Sequence, residues 1–173
     1  MNDIQISPVY PGSAEVAICA QWRIDAFSML GSSVEAERRS LEAFVADRTR
    51  QVALIARCDG ALAGTCLLVP SEIDPLHDVS PWLAGLYVVP DFRRRGIAHR
   101  LVRAIEAEAL IRDHARLYLY TDDAVGLYER LGWRVMDRVD WMGFPTALMM
   151  RDFKEPPPAT SAVSSPRQAP QPP

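Results

Sequence analysis

Between residues 83 and 121 the chain runs from an apolar stretch through an arginine and glycine turn into an amphipathic segment and then a second apolar stretch. Few folds accommodate that order. Leu86-Tyr87-Val88-Val89 stops at Pro90, and helical spacing resumes beyond Arg93-Arg94-Arg95-Gly96. Ile97, Leu101, Ile105 and Ala109 recur every fourth residue, with Arg100, Arg103, Glu106 and Arg112 expected to turn away from them, as in a helix lying on a sheet. Arg116 to Thr121 is short and rich in aromatic and aliphatic residues, which predicts a buried strand. A helix between two strands carries the chain back to the start of the sheet, so the strands at 83 to 89 and 116 to 121 are expected to be parallel.

The turn is suited to an anion. With the helix expected to begin around Arg94, its first N–H groups have no intrahelical carbonyl to bond and the helix dipole favours negative charge there. Gly96 lets a diphosphate approach the backbone, and Arg93, Arg94 and Arg95 offer charged forks. A dinucleotide fingerprint needs three glycines where this stretch has one, and a P-loop needs Gly-Lys-Ser/Thr where the chain's single lysine is Lys154. Arg93, Gly96 and Ala98 match the spacing Arg/Gln-x-x-Gly-x-Gly/Ala, which resembles the acyl-CoA pyrophosphate loop of the GNAT superfamily of N-acyltransferases.

A second motif lies roughly thirty residues on. Ala124-x-x-Leu127-Tyr128-Glu129-Arg130-Leu131-Gly132-Trp133 is similar to the other hallmark of that family, a short helix bearing a tyrosine and closed by Gly-Phe or Gly-Trp. Asp122 or Asp123 is placed to cap this helix and Gly132 to end it in a left-handed conformation. Strands are then expected over Trp133 to Asp140 and Thr146 to Asp152, joined by a turn around Gly143 and Pro145. Upstream, Asp3 to Ser7 reads as a strand, Gly12 to Phe27 and Val34 to Asp47 as helices, and Val52 to Cys58 with Ala61 to Val69 as a hairpin turning at Asp59-Gly60. Residues 70 to 82, with Pro70, Pro75 and Pro81, form a loop. The expected fold class is α/β (α+β): a GNAT-like mixed central sheet of about seven strands with helices on both faces.

Composition sets the remaining bounds. Residues 1–153 are expected to form one domain, enough to bury roughly two-thirds of its surface. Positions 154–173 hold half of the prolines and almost no large apolar side chain, so they are expected to be a disordered tail. A net charge of −3 speaks against nucleic acid as a partner. No apolar run reaches the length of a membrane span, and the first residues carry no basic and apolar leader, so a cytoplasmic protein is expected. Cys19, Cys58 and Cys66 read as reduced thiols, and no cysteine or histidine spacing suggests a metal.

The resemblance implies transfer of an acyl group, most often acetyl, from acetyl-CoA to an amine by direct attack in a ternary complex. It places the pantetheine arm along the backbone of Leu86, Tyr87 and Val88 in the manner of an added strand. The diphosphate would rest on Arg93, Arg94, Arg95, Gly96, Ile97, Ala98 and His99. Thr121 stands where many relatives have a cofactor-binding asparagine, and its hydroxyl offers fewer bonds than an amide. Tyr128 is the expected catalytic residue, donating a hydrogen bond to the departing thiolate. The N–H of Val88 is expected to receive the oxyanion, and Glu72, Asp74, His77 and Asp78 mark the region of a general base. The acceptor is a small-molecule or peptide amine, and the protein a monomer or homodimer. Two alternatives are a same-fold enzyme acting on a protein amine or using a longer acyl-CoA, and a non-catalytic acyl-CoA-binding module.

Overall fold

The computed structural model describes residues 3–27 and 31–154; the segment read as a tail therefore lies, beyond Lys154, outside the described residues. In chain order the elements are β1 (Ile4–Pro8), α1 (Ala14–Ala26), α2 (Val34–Ala46), β2 (Val52–Cys58), β3 (Ala61–Val69), β4 (Trp82–Val88), α3 (Ile97–Ile111), β5 (Arg116–Thr121), α4 (Val125–Arg130), β6 (Arg134–Trp141) and β7 (Phe144–Asp152). They form a seven-stranded sheet in the order β1-β2-β3-β4-β5-β7-β6. The mixed sheet with helices on both faces is the architecture expected from the sequence.

Alternation along the strands sorts the core into two layers. In β2, Val52, Leu54 and Ala56 face Leu101, Ile105 and Leu119 on the α3 side. Ala53 and Ile55 face Val16, Cys19, Leu41 and Val45 of α1 and α2. Since both faces are covered, the strand reads as a continuous apolar run.

The β2–β3 hairpin turns through Asp59 (φ 50°) and Gly60 (φ 85°), the paired positive angles of a type I′ turn. Met142 (φ 54°) and Gly143 (φ 85°) repeat this between β6 and β7, so the second turn is shorter than expected and Pro145 lies inside β7, opposite Asp140. The position tolerates proline because β5 pairs with β7 only as far as Ala147, leaving Pro145 beyond the three-stranded region.

Two other expectations are corrected. Helix α3 starts at Ile97, after a 3-10 turn over Pro90–Phe92 and a left-handed Gly96 (φ 82°) at its N-cap. Arg94 also has positive φ (59°), which a sequence pattern does not announce for a non-glycine residue. Glu106 is buried rather than turned outward: it accepts from Trp133 Nε1 (2.8 Å) and Arg103 Nη1 (2.6 Å), and Arg151 Nε stands 4.0 Å away. Those partners satisfy a carboxylate that would otherwise be costly to bury.

β4 and β5 are parallel, as expected, and share a single register pair, Trp82↔Tyr118, beside the bond from Tyr118 N–H to Pro81 O (3.1 Å). Beyond it the two strands part, and the gap between them is where the predicted residues gather.

Candidate active site

The gap opens into a cleft of about 270 Å³ with three contributions. Leu83, Ala84, Gly85 and Leu86 of β4 form one wall, and Thr121, Ala124 and Tyr128 form the other. Arg23, Glu72, Tyr120 and Trp141 close one end.

The β4 wall is irregular for a stated reason. Thr65 pairs with Tyr87 but Leu67 pairs with Ala84, so β4 carries one residue more than β3 across this span. Gly85 takes φ +59° at this bulge, and a Cβ there would lie 2.8 Å from Arg23 Nη1. A bulge removes a peptide group from the ladder and re-aims it. Here the peptides released belong to Gly85 and Leu86, and both residues line the cleft.

The opposite wall is set by Thr121. Its Oγ1 accepts from Ala124 N–H (3.0 Å) and closes the turn that leads into α4, whose N-cap is Ala124 with no side-chain capping bond, so neither Asp122 nor Asp123 caps the helix as expected. One turn on, Tyr128 is buried against Trp133, with ring centroids 5.7 Å apart, yet it still reaches the cleft. Burial pushes its phenol well above the ordinary tyrosine value. Gly132 (φ 87°) ends the segment in the left-handed conformation expected.

Leu86, Thr121 and Tyr128 are thus brought together, and the arginine turn sits at the C-terminal end of β4. Arg93 Nε donates to Val88 O (3.0 Å), while Arg95 Nη2 donates to Asp91 O (3.0 Å) and its guanidinium lies 5.2 Å from the Phe92 ring centre. Arg94 is exposed. The first helical bond is Arg100 N–H to Gly96 O (3.1 Å), so the N–H groups before it, from Gly96 through Ile97, Ala98 and His99, are those at the helix start; Arg94 and Arg95 precede it. The Ile97 side chain is in the core, leaving its backbone for a ligand. A Cβ at Gly96 would meet nothing within 4 Å, so the space above the turn is open. Tyr87 packs on Trp22 (5.8 Å between centroids), and neither it nor Val88 is among the residues lining the cleft.

The loop acids separate. Of Glu72, Asp74, His77 and Asp78, only Glu72 lines the cleft. Burial raises its carboxyl above the usual range, against a smaller downward pull from its bond with Ile73 N–H and from Arg23. His77 faces elsewhere: Nδ1 is 2.7 Å from Tyr120 Oη and Nε2 is 3.0 Å from Asp137 Oδ2. The hydrogen bond with His77 holds Asp137 below the usual carboxylate range. Leu76 N–H donates to the same Tyr120 oxygen (3.0 Å), and Trp141 Nε1 donates to Asp74 O (3.0 Å), so the loop is fastened to β5 and β6. Sequence reasoning missed Tyr120, Trp141 and Arg23, which come from three separate elements and carry no shared spacing.

Cys66 lies behind β4, fully buried, its Sγ 3.7 Å from Ala84 O, and burial pushes the thiol far up. Cys19 is likewise pushed up to about 11. Both therefore stay protonated at neutral pH. Among the described residues no group of histidine, cysteine or acidic side chains could hold a metal ion. Nor is any described helix long and apolar enough to cross a membrane.

Residues 49–135 match the family model described as an acetyltransferase (GNAT) domain. A mycothiol acetyltransferase of Mycobacterium sp. (strain JLS) is 34% identical over 109 residues, 63% of this chain and 32% of that protein. The chain thus spans about a third of the length of the curated relatives it matches. Among solved structures, an aminoglycoside 6'-acetyltransferase type Ii aligns with a TM-score of 0.67 at 22% identity, covering 88% of this chain and 99% of the other. An aminoglycoside 6'-N-acetyltransferase complexed with coenzyme A aligns with a TM-score of 0.68 at 18% identity, again over 88% and 99%. At those identities the structural likeness speaks to the fold.

Proposed function

Because the chain belongs to the GNAT acetyltransferase family, we propose that it is an N-acetyltransferase carrying an acetyl group from acetyl-CoA to a primary amine of a small molecule. The observation that carries this reading is the parting of β4 and β5, with Leu86 and Tyr128 on opposite walls and the open turn at Gly96 at the end of β4. The residues present fit such a cosubstrate. The gap leaves strand edges for a peptide-like arm, and the N–H groups of Gly96 to His99 with Arg93, Arg94 and Arg95 suit a diphosphate.

When bound, acetyl-CoA supplies the acetyl group as a thioester, a carbonyl that an amine can attack. Glu72 takes the proton of the acceptor amine and releases it to solvent, a role for which a carboxyl raised by burial is well matched. The peptide N–H groups freed at the Gly85–Leu86 bulge, rather than that of Val88, receive the oxygen on which negative charge develops. Tyr128 donates a hydrogen bond to the departing sulfur. Reference values already put full proton transfer from phenol to thiolate about 2 kcal/mol uphill. Burial of Tyr128 makes it more so, and the thiol's proton therefore comes from the acylated ammonium. Attack is direct, in a ternary complex, a reading supported by the absence of any cysteine from the described residues lining the cleft.

Thr121 holds α4 through its oxygen and keeps its hydroxyl proton for the cosubstrate. The experiment is acetyl-CoA-dependent thiol release across a panel of amines, alongside calorimetric titration with coenzyme A. Measurable affinity and turnover of at least one amine are expected; coenzyme A failing to bind refutes the reading.

A further inference from the structure

The end of the cleft beyond Tyr128 has a character of its own. Tyr120 lies between Trp82 and Trp141, with ring centroids 4.8 and 4.9 Å away, and both Tyr120 and Trp141 line the cleft. The wall is held in place at its polar atoms. Trp141 Nε1 is bonded to Asp74 O, and Tyr120 Oη takes the N–H of Leu76 and faces His77 Nδ1 at 2.7 Å, itself backed by Asp137. With its hydrogen-bonding atoms occupied by the loop, the wall offers a ligand ring surface and little else. Side chains held this way recognise flat apolar groups at small entropic cost. Among the described residues, the cations seated over rings are elsewhere, Arg48 on Tyr10 and Arg95 on Phe92.

Charge and size narrow the occupant further. Glu72 is the half-buried carboxylate at this end, and the guanidinium of Arg23, paired with Glu37, stands beside it against Gly85. An ammonium can meet Glu72; Arg23 is already paired with Glu37, and the other carboxylates lining the cleft, Asp122 and Asp123, follow Thr121 on the opposite wall. The cleft, at about 270 Å³, falls below the roughly 300 Å³ at which pockets for drug-sized ligands begin.

We propose that the acceptor is an amine whose amino group is joined through a short linker to an aromatic ring, the ring lying on the Tyr120–Trp141 wall and the amine directed at Glu72. This rests on the acetyltransferase reading above and adds the acceptor class to it. The test compares kcat/KM of the full-length protein for tryptamine and phenethylamine with that for spermidine and kanamycin, at saturating acetyl-CoA. The two aromatic amines are expected to be preferred at least tenfold. Trp141→Ala should lower kcat/KM for tryptamine about tenfold, mainly through KM, while the calorimetric Kd for coenzyme A stays within twofold. Preference for spermidine or kanamycin, or an unaltered tryptamine KM in Trp141→Ala, overturns the acceptor assignment and leaves the acetyltransferase reading standing. Absence of coenzyme A binding would overturn both.

Discussion

Gly64 is the position where one added methyl group should do most damage. It lies in β3 opposite Val88, and a Cβ there would stand 2.5 Å from Tyr87 O and 3.3 Å from both Val88 Cα and Leu101 Cδ1. Ordinary contact is about 3.5 Å or more, so β3 and β4 must separate by roughly 1 Å. Overpacking costs about 1–3 kcal/mol, and two of the three obstacles are backbone atoms that cannot rotate aside, which puts Gly64→Ala near the upper end. Alanine returns about 0.4–1 kcal/mol by restricting the unfolded chain, leaving a net loss of about 2 kcal/mol. At about 2–4 °C per kcal/mol for a domain of this size, calorimetry should show Tm falling by about 4–8 °C. Because the strand pushed away is the one proposed to carry the pantetheine arm, and a 1 Å misplacement can cost about a hundredfold in rate, kcat/KM should fall about 10- to 100-fold. Wild-type Tm together with wild-type kcat/KM would refute both the packing and the assignment of β4.

Tyr128→Phe keeps the ring and its contact with Trp133 but removes a donor worth about 1.5–3 kcal/mol to developing charge, so kcat should drop about 10- to 100-fold with Tm and coenzyme A affinity unmoved; an unchanged, chemistry-limited kcat would return Tyr128 to a packing role. Gly96→Val fills space the protein leaves open and forces a branched residue to φ 82°. Calorimetric titration of the folded variant should find coenzyme A binding abolished, and retained affinity would remove the diphosphate from this turn. For Glu72 the folded pKa is raised, so its stabilising share is complete below the unfolded value and is lost as pH rises through the folded one. Glu72→Gln should therefore melt higher than the wild type at pH 7 and equally at about pH 4. It should also lose about 10²–10⁴ in kcat/KM and, with it, an acid limb lying above the ordinary glutamate range. A variant keeping that limb would place the base elsewhere.

The residues that carried information in the sequence are those whose meaning is local. Pro90, Gly96 and the four-residue stripe from Ile97 specify strand, turn and helix within twenty positions, and Gly132 states the end of α4 by itself. What was hidden depends on distance. Glu106 sits one turn past the buried Val102, but whether that edge of α3 faces water is decided by Trp133 and Arg151, far along the chain. The start of α3 shifted because Arg94 adopts an angle that its residue type does not favour. Asp122 and Asp123 are both competent caps, yet α4 starts behind Ala124 without a side-chain cap, because the turn before it is closed by Thr121 Oγ1 on Ala124 N–H. Tyr120 looked like another core aromatic because Trp141 and the loop that fasten it are assembled by β6 and β7 folding back beside β5.

A sheet that parts in its middle has four free edges instead of two. Unpaired edges invite strands from other molecules, and proteins ordinarily blunt or cover them. The inner pair here needs no such device, because Tyr128 and Leu86 narrow the gap from either side. A foreign strand brings side chains on alternate residues, and these would meet Tyr128 and Leu86. A thin, amide-bearing thread brings none. On the proposed reading, the parting of β4 and β5 would sort visitors by girth before any residue reads their chemistry, and the interruption that would admit the cosubstrate would also protect the protein from its own kind.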